Sequence, residues 1–155
     1  MNKWLFVFAI GLVLAACSDD DNPATSASGT VVTFSLTCNT STNCADNSAN
    51  GRVGAIVILA DGITCATFMG QDAEMAGYAA LNVTCASGTC SATGNSTILN
   101  PATDVATTVS AGTYSYYGFI DTNNDEQPTT GEPASCTDAN TFDGSTLSFT
   151  VTGNQ

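Results

Sequence analysis

The chain has 155 residues, with 14 Asp and Glu against two Lys and Arg, seven Cys and no His. Its formal net charge of −12 excludes binding of nucleic acid or anionic lipid headgroups through the protein surface, since both need Lys or Arg to displace counterions. The lack of His removes Ser-His and Cys-His nucleophile pairs.

Near the start, Lys3 precedes an apolar run from Trp4 to Leu14, and small residues then lead to Cys17. As a helix those residues span about 16 Å, roughly half of a hydrocarbon core about 30 Å thick. The run is too short to span a membrane and fits the apolar stretch of a secretory signal. Leu14-Ala15-Ala16-Cys17 resembles the lipobox of bacterial lipoprotein precursors, where small side chains fit the peptidase site and the thiol accepts the diacylglyceryl group. The resemblance covers the first 17 residues. It implies a signal peptide over residues 1–16, lipidation of Cys17 and a membrane partner reached through that lipid. An ordinary secretory signal with an incidental cysteine is the rival reading.

Residues 17–29 follow as the lipidated cysteine and a tether, with Asp19, Asp20 and Asp21 in a row and then small polar residues. Without apolar periodicity the tether is expected to be flexible. By analogy, Ser18 rather than Asp after the cysteine, and the acidic run, favour the outer membrane or cell surface. Residues 30–155 make one domain, long enough to bury roughly two-thirds of its unfolded surface. With Lys3 removed, Arg52 alone faces 14 carboxylates, a net charge of −13.

Besides Cys17 the chain has Cys38, Cys44, Cys65, Cys85, Cys90 and Cys136. An even number in an exported chain predicts three disulfides, although six cysteines allow about 15 connectivities. Short separations favour Cys38–Cys44 and Cys85–Cys90 as local staples, which leaves Cys65–Cys136 to close the long loop. A zinc site is disfavoured, because His and C-x-x-C pairs are both absent. Three cysteines end matching tripeptides: Leu36-Thr37-Cys38, Ile63-Thr64-Cys65 and Val83-Thr84-Cys85. If these are strands, each sulfur points into the core with the apolar residue two before it.

The remaining pattern predicts an all-β fold, a small antiparallel β-sandwich of about seven strands. In Thr30–Thr37, Val32, Phe34 and Leu36 share one face while Thr33, Ser35 and Thr37 share the other. Arg52–Ala60 is a denser apolar run, as for a central strand. Asp61-Gly62 has turn chemistry, with Ile63–Met69 as the expected hairpin partner. Further strand segments are AALNVTCA, STIL, GTYSYYGFI and STLSFTVT. Gly70–Ala80 is the one helical candidate, through Met69, Ala73, Ala76 and Ala80. The segment GTYSYYGFIDTNNDEQPTTGEPA resembles immunoglobulin-like and transthyretin-like sandwich lipoproteins, in which a G-x-Y strand runs into a D-x-N-x-D loop and a later G-E-P. The match implies a sandwich and no particular activity.

Asp121, Asn123 and Asp125 alternate, and Glu132 stands at the twelfth position of the loop DTNNDEQPTTGE. This spacing resembles the calcium loop of the EF-hand, because alternate oxygens in a tight loop converge on one hard cation. Gln127 would add a backbone carbonyl, Thr129 a water-bridged position and Glu132 two oxygens. Glu126 replaces the family's sixth-position glycine, and Pro128 and the lack of flanking helices also depart from an EF-hand. An acidic turn that binds nothing uses the same residue types.

No catalytic residues are assigned and the domain is expected not to be an enzyme. The leading expectation is a non-catalytic binding or structural module with an unknown protein or glycan partner. The alternatives are an envelope enzyme accessory or inhibitor module, or a small carbohydrate-binding domain. The last would need an exposed aromatic pair beside the calcium loop. Tyr114, Tyr116 and Tyr117 are the aromatic candidates, and strand alternation puts Tyr114 and Tyr116 on one face, Tyr117 and Phe119 on the other. The sequons at Asn39, Asn82 and Asn95 are read as incidental.

Overall fold

The computed structural model describes residues 28–125 and 128–154. The elements are β1 (Val31–Cys38), α1 (Thr42–Ala45), β2 (Val53–Leu59), β3 (Met75–Asn82), β4 (Thr84–Ala86), β5 (Thr89–Thr97), β6 (Gly112–Asp121), β7 (Ala134–Phe142) and β8 (Thr146–Val151). They form two four-stranded sheets, ordered β4-β5-β1-β8 and β3-β2-β6-β7. Pairing is antiparallel except between β1 and β8, which run parallel. The all-β sandwich expected from the sequence is present, with eight strands.

In β1 the alternation is as read. Val32, Phe34, Leu36 and Cys38 are buried between the sheets, and Thr33, Ser35 and Thr37 face outward. On the neighbouring strand Thr146, Ser148 and Thr150 lie in register with them, so this outer face is a lattice of uncharged hydroxyls. The inner core also takes Ile56 and Ile58 of β2, Ile120 of β6, Phe142 of β7 and Leu147, Phe149 and Val151 of β8.

β2 earns its dense apolar run by being buried on both faces. Ile56 and Ile58 face the inner core, while Ala55, Val57 and Leu59 face outward into a second cluster with Tyr78, Tyr117, Phe119 and Ala134. Ile63, Phe68, Met75 and Leu99 cover that cluster. The sheet β3-β2-β6-β7 thus has apolar packing on two sides, one against a sheet and one under irregular chain.

That cover corrects two expectations. Ile63–Met69 is not the hairpin partner of β2; its partners are β3 and β6. Thr64 to Phe68 fold into a local turn, in which the Phe68 N–H donates to Thr64 O at 2.9 Å and the Thr64 N–H to Thr67 Oγ1 at 3.0 Å. The bond to the Thr67 hydroxyl competes with ladder pairing, and the turn lets Ile63 and Phe68 lie on the outer cluster. Gly70–Ala80 is not a helix either. A short 3-10 turn over Asp72–Glu74 leads into β3. Gly77 and Ala79 face inward, and a Cβ at Gly77 would stand 2.6 Å from Ile98 Cγ2. Small residues at helical spacing here serve close sheet packing, so tertiary contact overrides propensity.

The segment AALNVTCA divides at buried Val83, whose N–H bonds Arg52 O at 2.8 Å. Its first part ends β3 and its second forms β4 in the other sheet. STIL supplies the end of β5, with Ile98 in the inner core and Leu99 bridging to Tyr78 and Ala106. β7 and most of β5 carry little strand signal, since β5 buries only Cys90 and Ala92 and β7 is an edge strand.

The cysteines pair as Cys38–Cys44, Cys65–Cys136 and Cys85–Cys90. Cys85 and Cys90 are cross-strand partners of the β4–β5 hairpin. Its two-residue turn, Ser87 at φ 51° and Gly88 at φ 80°, needs positive φ at both positions to match strand twist. The inward sulfur expected of each tripeptide holds for fully buried Cys38. Cys85 is half-buried against the inner core. Cys65 differs: it sits half-buried in the turn, bridged to Cys136 beside the outer cluster.

Candidate functional site: an acidic loop at the end of the outer core

β6 ends at Asp121, and strand alternation puts that residue on the same face as Tyr117 and Phe119. Asp121 and Glu132 are 4 % and 3 % exposed, while Asp125 is exposed. One carboxylate oxygen from each of these three lies within 4.8 Å of the others. Three of the predicted ligands therefore converge.

The loop is organised around Glu132. Its Oε1 accepts from the Thr122 N–H at 2.7 Å, the Thr122 hydroxyl at 3.1 Å and the Asn123 N–H at 3.2 Å. Its Oε2 accepts from the Thr129 N–H at 2.9 Å. Asp121 Oδ1 accepts from the Asn124 N–H at 2.7 Å. The turn is made by Asn124 at φ 59°, a residue type that tolerates the left-handed region.

Asn123 joins the group differently from expectation. Its carbonyl oxygen accepts from the Asp125 N–H at 2.9 Å, and its amide donates to Asp125 Oδ2 at 2.9 Å and Thr129 Oγ1 at 3.0 Å. Within the loop it is a tie between neighbours. Gln127 lies outside the described residues, as does Cys17.

Magnitudes bear on what the cluster can do. At an effective dielectric of about 20, two carboxylates about 4.8 Å apart repel by roughly 3.5 kcal/mol. A hydrogen bond to a charged acceptor contributes about 1.5–3 kcal/mol. The four donors on Glu132 are thus of the right size to hold the loop in place. A divalent cation among the three carboxylates would remove the remaining repulsion, with Glu132 Oε2 the less engaged of its two oxygens.

The aromatic residues are packed. Tyr116 belongs to the inner core and Tyr114 packs against it. Tyr117 and Phe119 lie in the outer cluster beside the loop, 8 % and 7 % exposed. Phe68 packs against Tyr117 with the rings tilted 53° and their centroids 5.3 Å apart. The pair next to the acidic loop is therefore covered and offers no open stacking platform. Burial, and secondarily Glu132, pushes the Tyr117 hydroxyl well above its usual pKa. A small apolar cleft of about 40 Å³ remains there, with Phe68, Tyr78, Tyr117 and Phe119 on its walls and Pro128 of the loop at its rim.

Sequence reasoning missed Thr122, whose backbone and hydroxyl both hold Glu132. No spacing rule flags it, because its role depends on Glu132 folding back over the strand end. Among the described residues no helix is long and apolar enough to cross a membrane. No protein-family model, no curated protein and no solved structure matches this chain.

Proposed function

We propose that this chain is an exported bacterial lipoprotein. In this reading Cys17 carries the lipid, residues 18–29 are the tether, and the sandwich is a non-catalytic binding or structural module in the cell envelope. One observation carries most weight: six of the seven cysteines are bonded to one another. Disulfides of this density belong to oxidising compartments, and the pairing leaves over the one cysteine that ends the lipobox-like segment. The acidic loop is read as a calcium-stabilised element of this module, supported by the convergence of Asp121, Asp125 and Glu132.

The anchor is tested by metabolic labelling with a palmitate analogue in a bacterial host. The wild-type chain is expected to take the label and Cys17→Ser to lose it. Equal labelling of Cys17→Ser, or processing elsewhere with a free Cys17 thiol, would rule the anchor out.

A further inference from the structure

A second site lies on the opposite side of β6 from the acidic loop's aromatic neighbours. β7 and β8 are edge strands of the two sheets and contact each other. Between them opens a pocket of about 360 Å³ lined by Tyr116, Asn140, Thr141, Asp143, Thr146 and Ser148, a size within the range of small-molecule sites. Tyr116 is 2 % exposed, and its hydroxyl has no hydrogen-bond partner among the described residues. Buried hydroxyls are nearly always satisfied, so a donor left free beside a pocket asks what completes it.

The lining narrows the answer. An ammonium or guanidinium group could donate to the Tyr116 oxygen but would leave its O–H proton without an acceptor, so a ligand that brings its own acceptor fits the hydroxyl more fully. Anionic ligands have acceptors but meet Asp143 and a chain of net charge −12. Asp143 Oδ1 accepts from the Ser145 N–H at 2.7 Å, the Ser145 hydroxyl at 3.1 Å and the Thr146 N–H at 2.7 Å. These donors hold its carboxyl below the usual range, so it stays an ionised acceptor. Asn140 donates one amide N–H to Thr137 O at 2.6 Å, and its side-chain carbonyl can accept. Thr141, Thr146 and Ser148 add hydroxyls able to donate or accept. A group that both donates and accepts, carries no charge and repeats at short spacing is the hydroxyl of a sugar.

We propose that this pocket binds a neutral saccharide unit, with Tyr116 donating to a ligand oxygen and Asp143 and Asn140 accepting from ligand hydroxyls. Thr146 and Ser148 lie in register with Thr33 and Ser35, so the uncharged hydroxyl face continues outward from the pocket for further units of a glycan. This deepens the binding reading proposed above and rests on it for its biological setting, but uses none of the residues of the acidic loop.

The test uses the full chain, labelled with fluorotyrosine and titrated with glucose, galactose, mannose and N-acetylglucosamine, with glucuronate as the anionic control. Fluorine NMR resolves the tyrosines, and loss of one signal in Tyr116→Phe assigns it. At least one neutral sugar is expected to move the Tyr116 signal, with glucuronate at least about tenfold weaker. Tyr116→Phe is expected to weaken binding about three- to tenfold without lowering the melting temperature, and Ser148→Ala by a smaller factor. The proposal fails if no neutral sugar moves that signal at about 100 mM, if Tyr116→Phe binds as tightly as wild type, or if the hydroxyl is satisfied by an ordered water alone. Labelling at Cys17 is independent of every one of these outcomes, so the anchored reading is judged separately.

Discussion

The two faces of the β3-β2-β6-β7 sheet are both apolar but are covered in different ways. The inner face meets the second sheet, where Phe34, Leu36, Ile56 and Ile120 are fully buried. The outer face meets turns, with half-buried Ile63 and Phe68 as its cover. One side is held by two interlocking ladders, and the other by a segment tied down through Cys65–Cys136. The difference teaches that a cross-link does on the outer face what sheet pairing does on the inner one. It also places the acidic loop beside the less regular of the two cores.

Core truncation gives the largest contrast. Phe34→Ala is expected to cost about 3–5 kcal/mol, through lost burial plus the cavity left behind. Phe68→Ala, half-buried over Tyr117, should cost about 1–2 kcal/mol. Urea unfolding of both variants measures the gap, and equal costs would show that the outer face is as closed as the inner.

Cross-link removal follows. Cys65–Cys136 joins residues 71 apart in sequence, and its loss should cost about 4 kcal/mol in the chain-entropy model, against about 2 kcal/mol for a five-residue closure. Cys85–Cys90, 5 apart, supplies that comparison. Hydrogen exchange should show the loss of Cys65–Cys136 exposing β2 and β6 amides at lower free energy than β1 amides. Uniform loss across both sheets would contradict the separate role of the outer cover.

The response to pH separates the faces with the sign fixed by each shift. Burial, then Asp143 and Tyr114, pushes the Tyr116 hydroxyl up to about 12, and Tyr117 is raised further by burial and Glu132. The stability each carries is complete below the unfolded value of about 10, and is lost as pH rises through the folded value. One of these two tyrosines lies in each core, so both faces should loosen together in alkali. Asp138 is held below the usual range by the Ser115 hydroxyl and then the Cys65 N–H. Its contribution is present above the unfolded value of about 4, and is lost as pH falls through the folded value. Acid should therefore weaken attachment of the Cys65 turn. Asp138→Asn is expected to flatten that part of an acid titration followed by hydrogen exchange.

Calcium gives the smallest effect. Extracellular modules bind with dissociation constants of about 10⁻⁴ to 10⁻³ M, so about 1 mM calcium should add roughly 0.4 to 1.4 kcal/mol. That is a melting shift of a few degrees. Asp125→Ala, at an exposed position, should abolish the shift with little change in the calcium-free melting temperature. Glu132→Gln should lower stability even in chelator, because an amide facing the Thr129 N–H sets donor against donor. Identical melting in calcium and chelator, with no heat of binding, would leave Glu132 as a purely structural anchor.

Much of this architecture was legible in local sequence. Alternation in Val32, Phe34 and Leu36 marked β1, the dense run Arg52–Ala60 marked a central strand, and short separations picked out two disulfides. Cysteine parity then left Cys65 and Cys136 for each other. The spacing of Asp121, Asp125 and Glu132 marked a loop whose carboxylates do converge. These features depend on period, chain distance and residue chemistry, all of which a sequence carries. Tertiary structure decided the rest. Ile63–Met69 and Gly70–Ala80 have apolar spacing that suits a strand and a helix, yet the first became cover and the second a strand. The deciding contacts, Phe68 on Tyr117 and Gly77 beneath Ile98, join residues far apart in the chain. The same holds for the pocket at Tyr116: its lining comes from β6, β7, β8 and Asp143 in the connection between the last two, which meet only when the two sheets close.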